Sequence, residues 1–269
     1  MERMIHGCRY HYGRTGSGEP ILLLHGFTGD CTTWNETIAS LTDRYQCVAV
    51  DLLGHGKSSC PVDAARYDIQ LLARDLKELM HELSFERFHV LGYSMGGRLA
   101  LTMAVLYPDV VKSLIIESAS PGLKTEEERA ARRAADEKLA TKIEAEGMEP
   151  FIDFWTNIPL FATQKRLPFA KQEAIRRQRL QNHVVGLSGS LKGMGTGSQP
   201  SWWTELSALT MPVLLVTGTL DEKFTDIANE MKKQLPQAVW KEVSGKGHAI
   251  HVEDSAEFGT IIREFLLYT

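Results

Sequence analysis

Short, unbroken apolar runs recur along the chain, each stopping at a glycine or a polar residue. They cover residues 21–24 before His25 and Gly26, 47–50 before Asp51, 89–91 before Gly92, 113–116 before Glu117, and 213–216 before Thr217 and Gly218. Residues 238–240 add a weaker strand, and residues 3–12 alternate loosely into Gly13, Gly16 and Gly18, an opening strand and turn. Strands that are apolar on both faces belong to a parallel sheet covered on both sides. Between them lie helical periods. Ile69, Leu72, Leu76, Leu79, Met80 and Leu83 share one face of a helix over residues 67–83. Residues 95–107 are small and apolar nearly all round, which predicts a buried helix, and residues 256–267 show the helical period again. The alternation predicts an α/β class with a mostly parallel, doubly wound sheet.

One block interrupts it. Residues 121–207 hold no convincing strand; they open with a charge run over 124–142 and continue into helical stretches at 150–161 and 168–187. This predicts a helical cap inserted into a core made of residues 1–120 and 208–269. A separate helical domain is the alternative, but strand-like segments resume after Met211, which favours an insertion.

Composition narrows the function. A chain of 269 residues, 43% hydrophobic and 24% charged, is globular and long enough for a large core. Thirty basic against thirty-four acidic side chains argue against a nucleic-acid binder. The longest apolar stretch, over 103–107, is far short of the roughly twenty residues that cross a membrane. Glu2, Arg3, Arg9 and Arg14 leave no apolar signal core in the opening segment. Cys8, Cys31, Cys47 and Cys60 show neither a CxxC pair nor metal-ligand spacing, which suits free thiols in a reducing, cytoplasmic setting. The histidines offer no HxxxH helical pair, so no metal and no cofactor is expected.

The sharpest chemical signal is Gly92-Tyr93-Ser94-Met95-Gly96, followed by Gly97, where a strand hands over to a buried helix. By itself GxSxG is common; in a strand–turn–helix setting it marks a nucleophile elbow, where small neighbours allow the sharp turn that lifts the serine clear. Such a serine needs a histidine, and the histidine an orienting carboxylate. Asp221, just past the 213–216 strand, and His248, in a glycine-rich loop before the last helix, follow in the order Ser, Asp, His. A helix N-cap is the plain alternative for Asp221, and a surface-loop histidine for His248. For an oxyanion hole, backbone amides of Met95, after the serine, and of Phe27, in His25-Gly26-Phe27-Thr28-Gly29, are the candidates. The glycines of Asp51-Leu52-Leu53-Gly54-His55-Gly56-Lys57-Ser58 suit a tight turn and carry no catalytic assignment.

With these motifs in their expected places, the chain resembles the α/β-hydrolase superfamily from end to end. That superfamily spans esterases, C–C bond hydrolases, dehalogenases, epoxide hydrolases and non-hydrolytic members, so the triad does not choose among them. Ser94 disfavours the branches with an aspartate at the elbow. More narrowly, the chain resembles the MenH family of menaquinone biosynthesis, which eliminates pyruvate from a bulky precursor to give 2-succinyl-6-hydroxy-2,4-cyclohexadiene-1-carboxylate. The resemblance is carried by Arg98, four residues after Ser94; by Glu117 and Pro121-Gly122-Leu123; by Glu126-Glu127-Glu128-Arg129-Ala130-Ala131-Arg132; by Phe154-Trp155 ahead of Pro159-Leu160-Phe161; by Arg179-Leu180-Gln181-Asn182; and by Asp221-Glu222-Lys223-Phe224. It implies substrate-binding roles for Arg98, Arg132, Arg179, Trp155 and Tyr93. The arginines make independent sense, because a polycarboxylate suits permanently charged, forked donors. Against that, Arg132 lies in a charge run of the kind that usually faces solvent. Arg98 follows the elbow on a buried helix, where an unpaired charge is costly, so it requires a carboxylate from the protein or from a ligand. The usual HxExP ending appears as His251-Val252-Glu253-Asp254-Ser255, without the proline, which touches a helix start more than chemistry.

The expectation is a lyase in which His248, oriented by Asp221, lets Ser94 act as a general base, with no acyl-enzyme and no cofactor. Its partners are a small-molecule polycarboxylate, not nucleic acid or membrane, and the chain is a monomer or weak homo-oligomer. The rivals are a serine esterase or C–C bond hydrolase with Ser94 as nucleophile, and a ligand receptor that retains the triad.

Overall fold

The computed structural model describes residues 1–269. Eight strands form one sheet: β1 (Glu2–Ile5), β2 (Cys8–Thr15), β3 (Glu19–Leu24), β4 (Tyr45–Val50), β5 (Phe88–Tyr93), β6 (Val111–Glu117), β7 (Val213–Gly218) and β8 (Ala238–Val243). Their order across the sheet is β1-β2-β4-β3-β5-β6-β7-β8. The β1–β2 and β2–β4 pairs are antiparallel and all others parallel. The loose alternation over residues 3–12 is thus a hairpin of two strands, turned at His6 and Gly7, both with positive φ. Alternate residues of the central strands feed opposite cores. Leu22, Leu24, Val48 and Val50 face one layer, while Ile21, Leu23, Cys47 and Ala49 face the other. That two-sided burial is why these strands read as continuous apolar runs.

Helices cover both faces: α1 (Asn35–Ala39), α2 (Ile69–Glu82) and α3 (Met95–Leu106) precede β6 or pack beside it. Between β6 and β7 the chain has no strand and carries α4 (Glu126–Glu146), α5 (Met148–Thr156), α6 (Phe169–Arg179) and α7 (Val184–Met194). These helices share a small core of their own, which includes Ala140, Ile143, Phe151, Ile152, Leu187 and Leu191. The charge run that opens the block is α4, started by a capping box in which Thr125 and Glu128 bond each other's backbone amides. The single stretch expected over 168–187 is two helices, broken at residues 180–183. Finally α8 (Glu222–Gln234), α9 (Ile250–Glu253) and α10 (Ser255–Leu266) close the chain. Asp254 caps α10 by accepting from the Glu257 amide at 3.1 Å, so the helix starts on an aspartate cap with Ser255 as its first residue, where the common pattern has proline.

No helix is long and apolar enough to cross a membrane. All four cysteines are unpaired.

Candidate active site

Ser94 sits between β5 and α3 with φ 50° and ψ −108°, a backbone conformation unfavourable for a side-chain-bearing residue. The turn closes only because its neighbours lack side chains. A Cβ on Gly92 would lie 2.3 Å from the Gly96 carbonyl oxygen, and one on Gly96 would lie 2.1 Å from that of Leu24. The Ser94 amide donates to the Glu117 carbonyl at the end of β6 (2.9 Å). His248 Nε2 stands 3.0 Å from Ser94 Oγ, and His248 Nδ1 stands 2.7 Å from Asp221 Oδ2. Asp221 does occupy the N-cap position of α8, but its side chain makes no cap bond and turns to His248 instead. His248 is buried, packed under the rings of Tyr93 (5.3 Å) and Phe224 (4.7 Å). An imidazole held between a carboxylate and a hydroxyl in this way can take a proton from the hydroxyl and keep the resulting charge paired.

The Phe27 amide makes no hydrogen bond within the protein. Met95 is the first residue of α3, where a helix leaves its amides without intrahelical acceptors. Both residues line the same cavity of about 220 Å³ as Ser94 and His248. Of the two residues nominated for an oxyanion hole, Met95 is at the N-terminal end of α3, where the helix dipole favours negative charge, and Phe27 is in the loop after β3.

Arg98, Arg132, Tyr93 and Trp155 also line this cavity. Arg98 Nη1 donates to the Met194 carbonyl (2.9 Å) and to Gln199 Oε1 (2.5 Å). Of the two sources expected for a carboxylate, the protein and a ligand, the protein supplies none by hydrogen bond: it gives Arg98 neutral acceptors, and the Nε and Nη2 groups make no protein hydrogen bond. Burial, reinforced by repulsion from Arg132, pulls its pKa down to about 10. Arg132 bonds Asp136 Oδ1 through Nε (2.8 Å), which leaves both Nη groups unbonded in a side chain 41% exposed. Trp155 stacks on Phe151 and meets Phe27 edge-on, and its buried indole N–H has no acceptor in the protein.

Arg179 is elsewhere. It lines a neighbouring cavity of about 280 Å³, separated from the first by Phe27, Tyr93 and Phe161, which face both. Buried, it donates to Thr156 Oγ1 (3.1 Å) and Gln164 Oε1 (3.4 Å) and lies 4.6 Å above the Phe161 ring. Burial without an acidic partner holds its pKa below the usual arginine value.

The family model for the alpha/beta hydrolase fold matches residues 19–255. A Bacillus subtilis (strain 168) relative, 43% identical over 97% of this chain and 95% of its own length, is named provisionally as a 2-succinyl-6-hydroxy-2,4-cyclohexadiene-1-carboxylate synthase. An Enterobacter sp. (strain 638) protein with that synthase name is 32% identical over 94% of this chain and 95% of its own. Among solved structures, MenH from S. aureus superposes with a TM-score of 0.91 at 35% identity, covering 96% of this chain and 98% of that one. The chain belongs to the MenH family of α/β hydrolases.

Sequence reasoning passed over several residues in and around this cavity. Lys223 and Phe224 line the triad cavity one helical turn from Asp221, yet they entered only as part of a matching segment. Lys223 makes no ion pair with an acidic residue, whereas Lys112, Lys124, Lys142, Lys171 and Lys192 each pair with a glutamate. Gln199, which holds Arg98, carries no local signal at all. Asp51, His11 and Cys31 bring ligand-type atoms within 4.8 Å of one another. The Asp51 carboxylate is already occupied there, accepting from the amides of Cys31 (2.7 Å) and Lys57 (2.8 Å) and from His11 (3.0 Å), so it acts as a clamp on its loop.

Proposed function

We propose that this MenH-family chain eliminates pyruvate from 2-succinyl-5-enolpyruvyl-6-hydroxy-3-cyclohexene-1-carboxylate to give 2-succinyl-6-hydroxy-2,4-cyclohexadiene-1-carboxylate, with Ser94, His248 and Asp221 as its general-base system. The observation that carries this reading is Arg98. A buried guanidinium with neutral protein partners and two unbonded donor groups, in the wall of the triad cavity, calls for an anionic ligand there. An apolar ester supplies none.

The chemistry follows from the two ring systems. Moving from a 3-ene to a 2,4-diene with loss of the group at C5 requires the proton on C2, the carbon that bears the succinyl ketone. Ser94 Oγ takes that proton as His248 Nε2 accepts its own, and Asp221 holds the imidazolium that forms. The C2–H pair becomes the C2–C3 double bond, the 3-ene shifts to C4–C5, and the C5–O pair leaves with the enolpyruvyl oxygen. The departing enolate takes a proton and becomes pyruvate. No water is consumed. The Phe27 and Met95 amides oppose the negative charge that develops on the succinyl oxygen as C2 loses its proton. Arg98 and Arg132 take carboxylates in the triad cavity, Arg179 takes one through the Tyr93–Phe161 side, and Trp155 and Tyr93 position the ring.

In this reading residues 121–207 form a cap set over a core of residues 1–120 and 208–269, and the site lies between them. The unpaired cysteines suit a cytoplasmic biosynthetic enzyme. The test is pyruvate release from the enzymatically generated precursor, run beside cleavage of a nitrophenyl ester, with Ser94→Ala as control. Fast pyruvate release with slow ester cleavage, both absent in Ser94→Ala, is expected. Fast ester cleavage without pyruvate would return the function to the esterases and C–C hydrolases.

A further inference from the structure

Ser94 and His248 are far apart in sequence, carried by different parts of the sheet, yet one residue is bonded to both neighbourhoods. Glu117 ends β6, where it pairs in register with Tyr93 of β5 and Val216 of β7. Its carbonyl accepts the Ser94 amide at 2.9 Å. Its carboxylate accepts the His251 amide on Oε1 at 3.1 Å and meets His251 Nδ1 through Oε2 at 2.7 Å. Both side chains are fully buried. His251 lies one turn past His248 on α9, with its ring between Trp34 (4.7 Å) and Tyr93 (4.6 Å). The loop is tied on its other side as well, where Glu253 accepts the Gly247 amide (2.9 Å) and the Thr163 hydroxyl (2.7 Å).

We infer that Glu117, through His251, is a positioning residue that sets the distance between Ser94 Oγ and His248 Nε2. Burying a carboxylate–imidazole pair is a poor route to stability, because apolar residues of equal volume serve as well or better. What an apolar pair would not do is bond a backbone amide of the base loop to the residue whose carbonyl holds the nucleophile's amide. The carboxylate does this with two directional bonds, so nucleophile and base are referenced to one residue. The inference rests on the triad geometry and not on which bond the enzyme breaks.

The test uses the full-length protein and a fluorophosphonate, which labels an activated serine whatever the natural reaction. Glu117→Gln keeps the shape but loses the acceptor for His251 Nδ1. Its kcat and its rate of Ser94 labelling are expected to fall together, on the order of 10- to 100-fold, as for a small misplacement of reacting groups, with KM unchanged. Trp34→Phe is the packing control: it loosens the His251 ring without touching the Glu117 bonds, and is expected to lower the melting temperature while keeping the labelling rate. If Glu117→Gln does not fold, His251→Leu, which removes the Nδ1 donor and leaves an apolar side chain in its place, carries the same expectation. A folded variant of either kind labelled at the wild-type rate, or a Trp34→Phe protein as slow as they are, overturns the inference.

Discussion

Arg98 is held by Gln199 through a single nitrogen: Nη1 donates to Gln199 Oε1 at 2.5 Å and to the Met194 carbonyl at 2.9 Å, leaving the other edge of the guanidinium for the cavity. In the proposed function a substrate carboxylate completes this charge. Replacing Arg98 with alanine is expected to weaken substrate binding by about 2–5 kcal/mol, the range for removing one partner of a buried charged pair. Gln199→Leu keeps the charge and loses only its tether, so its effect should be smaller. Calorimetric titration in a Ser94→Ala background reads both. Wild-type affinity in Arg98→Ala would remove the basis for a carboxylate in this cavity.

The separation of Arg179 from the other two arginines makes a prediction about coupling. Arg98 and Arg132 share a cavity, and repulsion from Arg132 adds to burial in holding the Arg98 pKa down. Their alanine substitutions should be non-additive in binding energy. Arg98 and Arg179 line different cavities, and their effects should add to within about 0.5 kcal/mol. Double-mutant cycles on substrate affinity check this, and strong Arg98–Arg179 coupling would mean that one carboxylate bridges the two.

Trp155 gives a smaller effect of known sign. Its buried N–H has no acceptor in the protein, while its ring is held by Phe27, Phe151 and Phe161. Trp155→Phe preserves much of that stacking and removes the donor. A loss of about 0.5–1.5 kcal/mol in substrate affinity is expected, the net value of a hydrogen bond, with melting temperature little changed. An unchanged affinity would mean that the indole only fills space.

The triad was legible because each member sits at a strand end, where chain order and local glycines announce it. Ser94 lies in a turn that only Gly92 and Gly96 permit, and Asp221 and His248 follow their strands as the fold requires. The layering was legible too, since two-sided burial of β3 and β4 writes continuous apolar runs. What could not be read depends on how the helices between β6 and β7 lie over the sheet. Arg132 and Arg179 look alike in sequence, each in a basic stretch of a helix, and only packing puts them in different cavities. His251 read as part of a helix start, because nothing local reveals that its partner is Glu117. Gln199 is equally silent until it is found against Arg98.

Two buried histidines make stability sensitive to acid. His25 Nδ1 donates to the Gly26 carbonyl (2.8 Å) and its Nε2 accepts from the Leu52 amide (3.0 Å), which fixes a neutral ring. Burial lowers the pKa of His25, and burial with repulsion from His25 takes His55 down to about 3. In the unfolded chain both protonate near the ordinary histidine value of about 6.5. As pH falls from there towards about 3, the unfolded state binds protons that the native state refuses, so stability declines across that window. His55→Asn, whose amide can take the place of Nδ1 and still donate to the Leu53 carbonyl, should flatten the decline. Urea unfolding at a series of pH values compares the slopes, and identical slopes would contradict the assignment.

In the proposed reaction the triad removes a carbon-bound proton and forms no covalent intermediate. The most direct measurement uses substrate deuterated at C2, following pyruvate release at limiting substrate, with rapid quenching and mass spectrometry of the intact protein alongside. A primary deuterium isotope effect on kcat/KM with unmodified Ser94 is expected. An absent isotope effect together with a mass adduct on Ser94 would contradict it and make the serine a nucleophile.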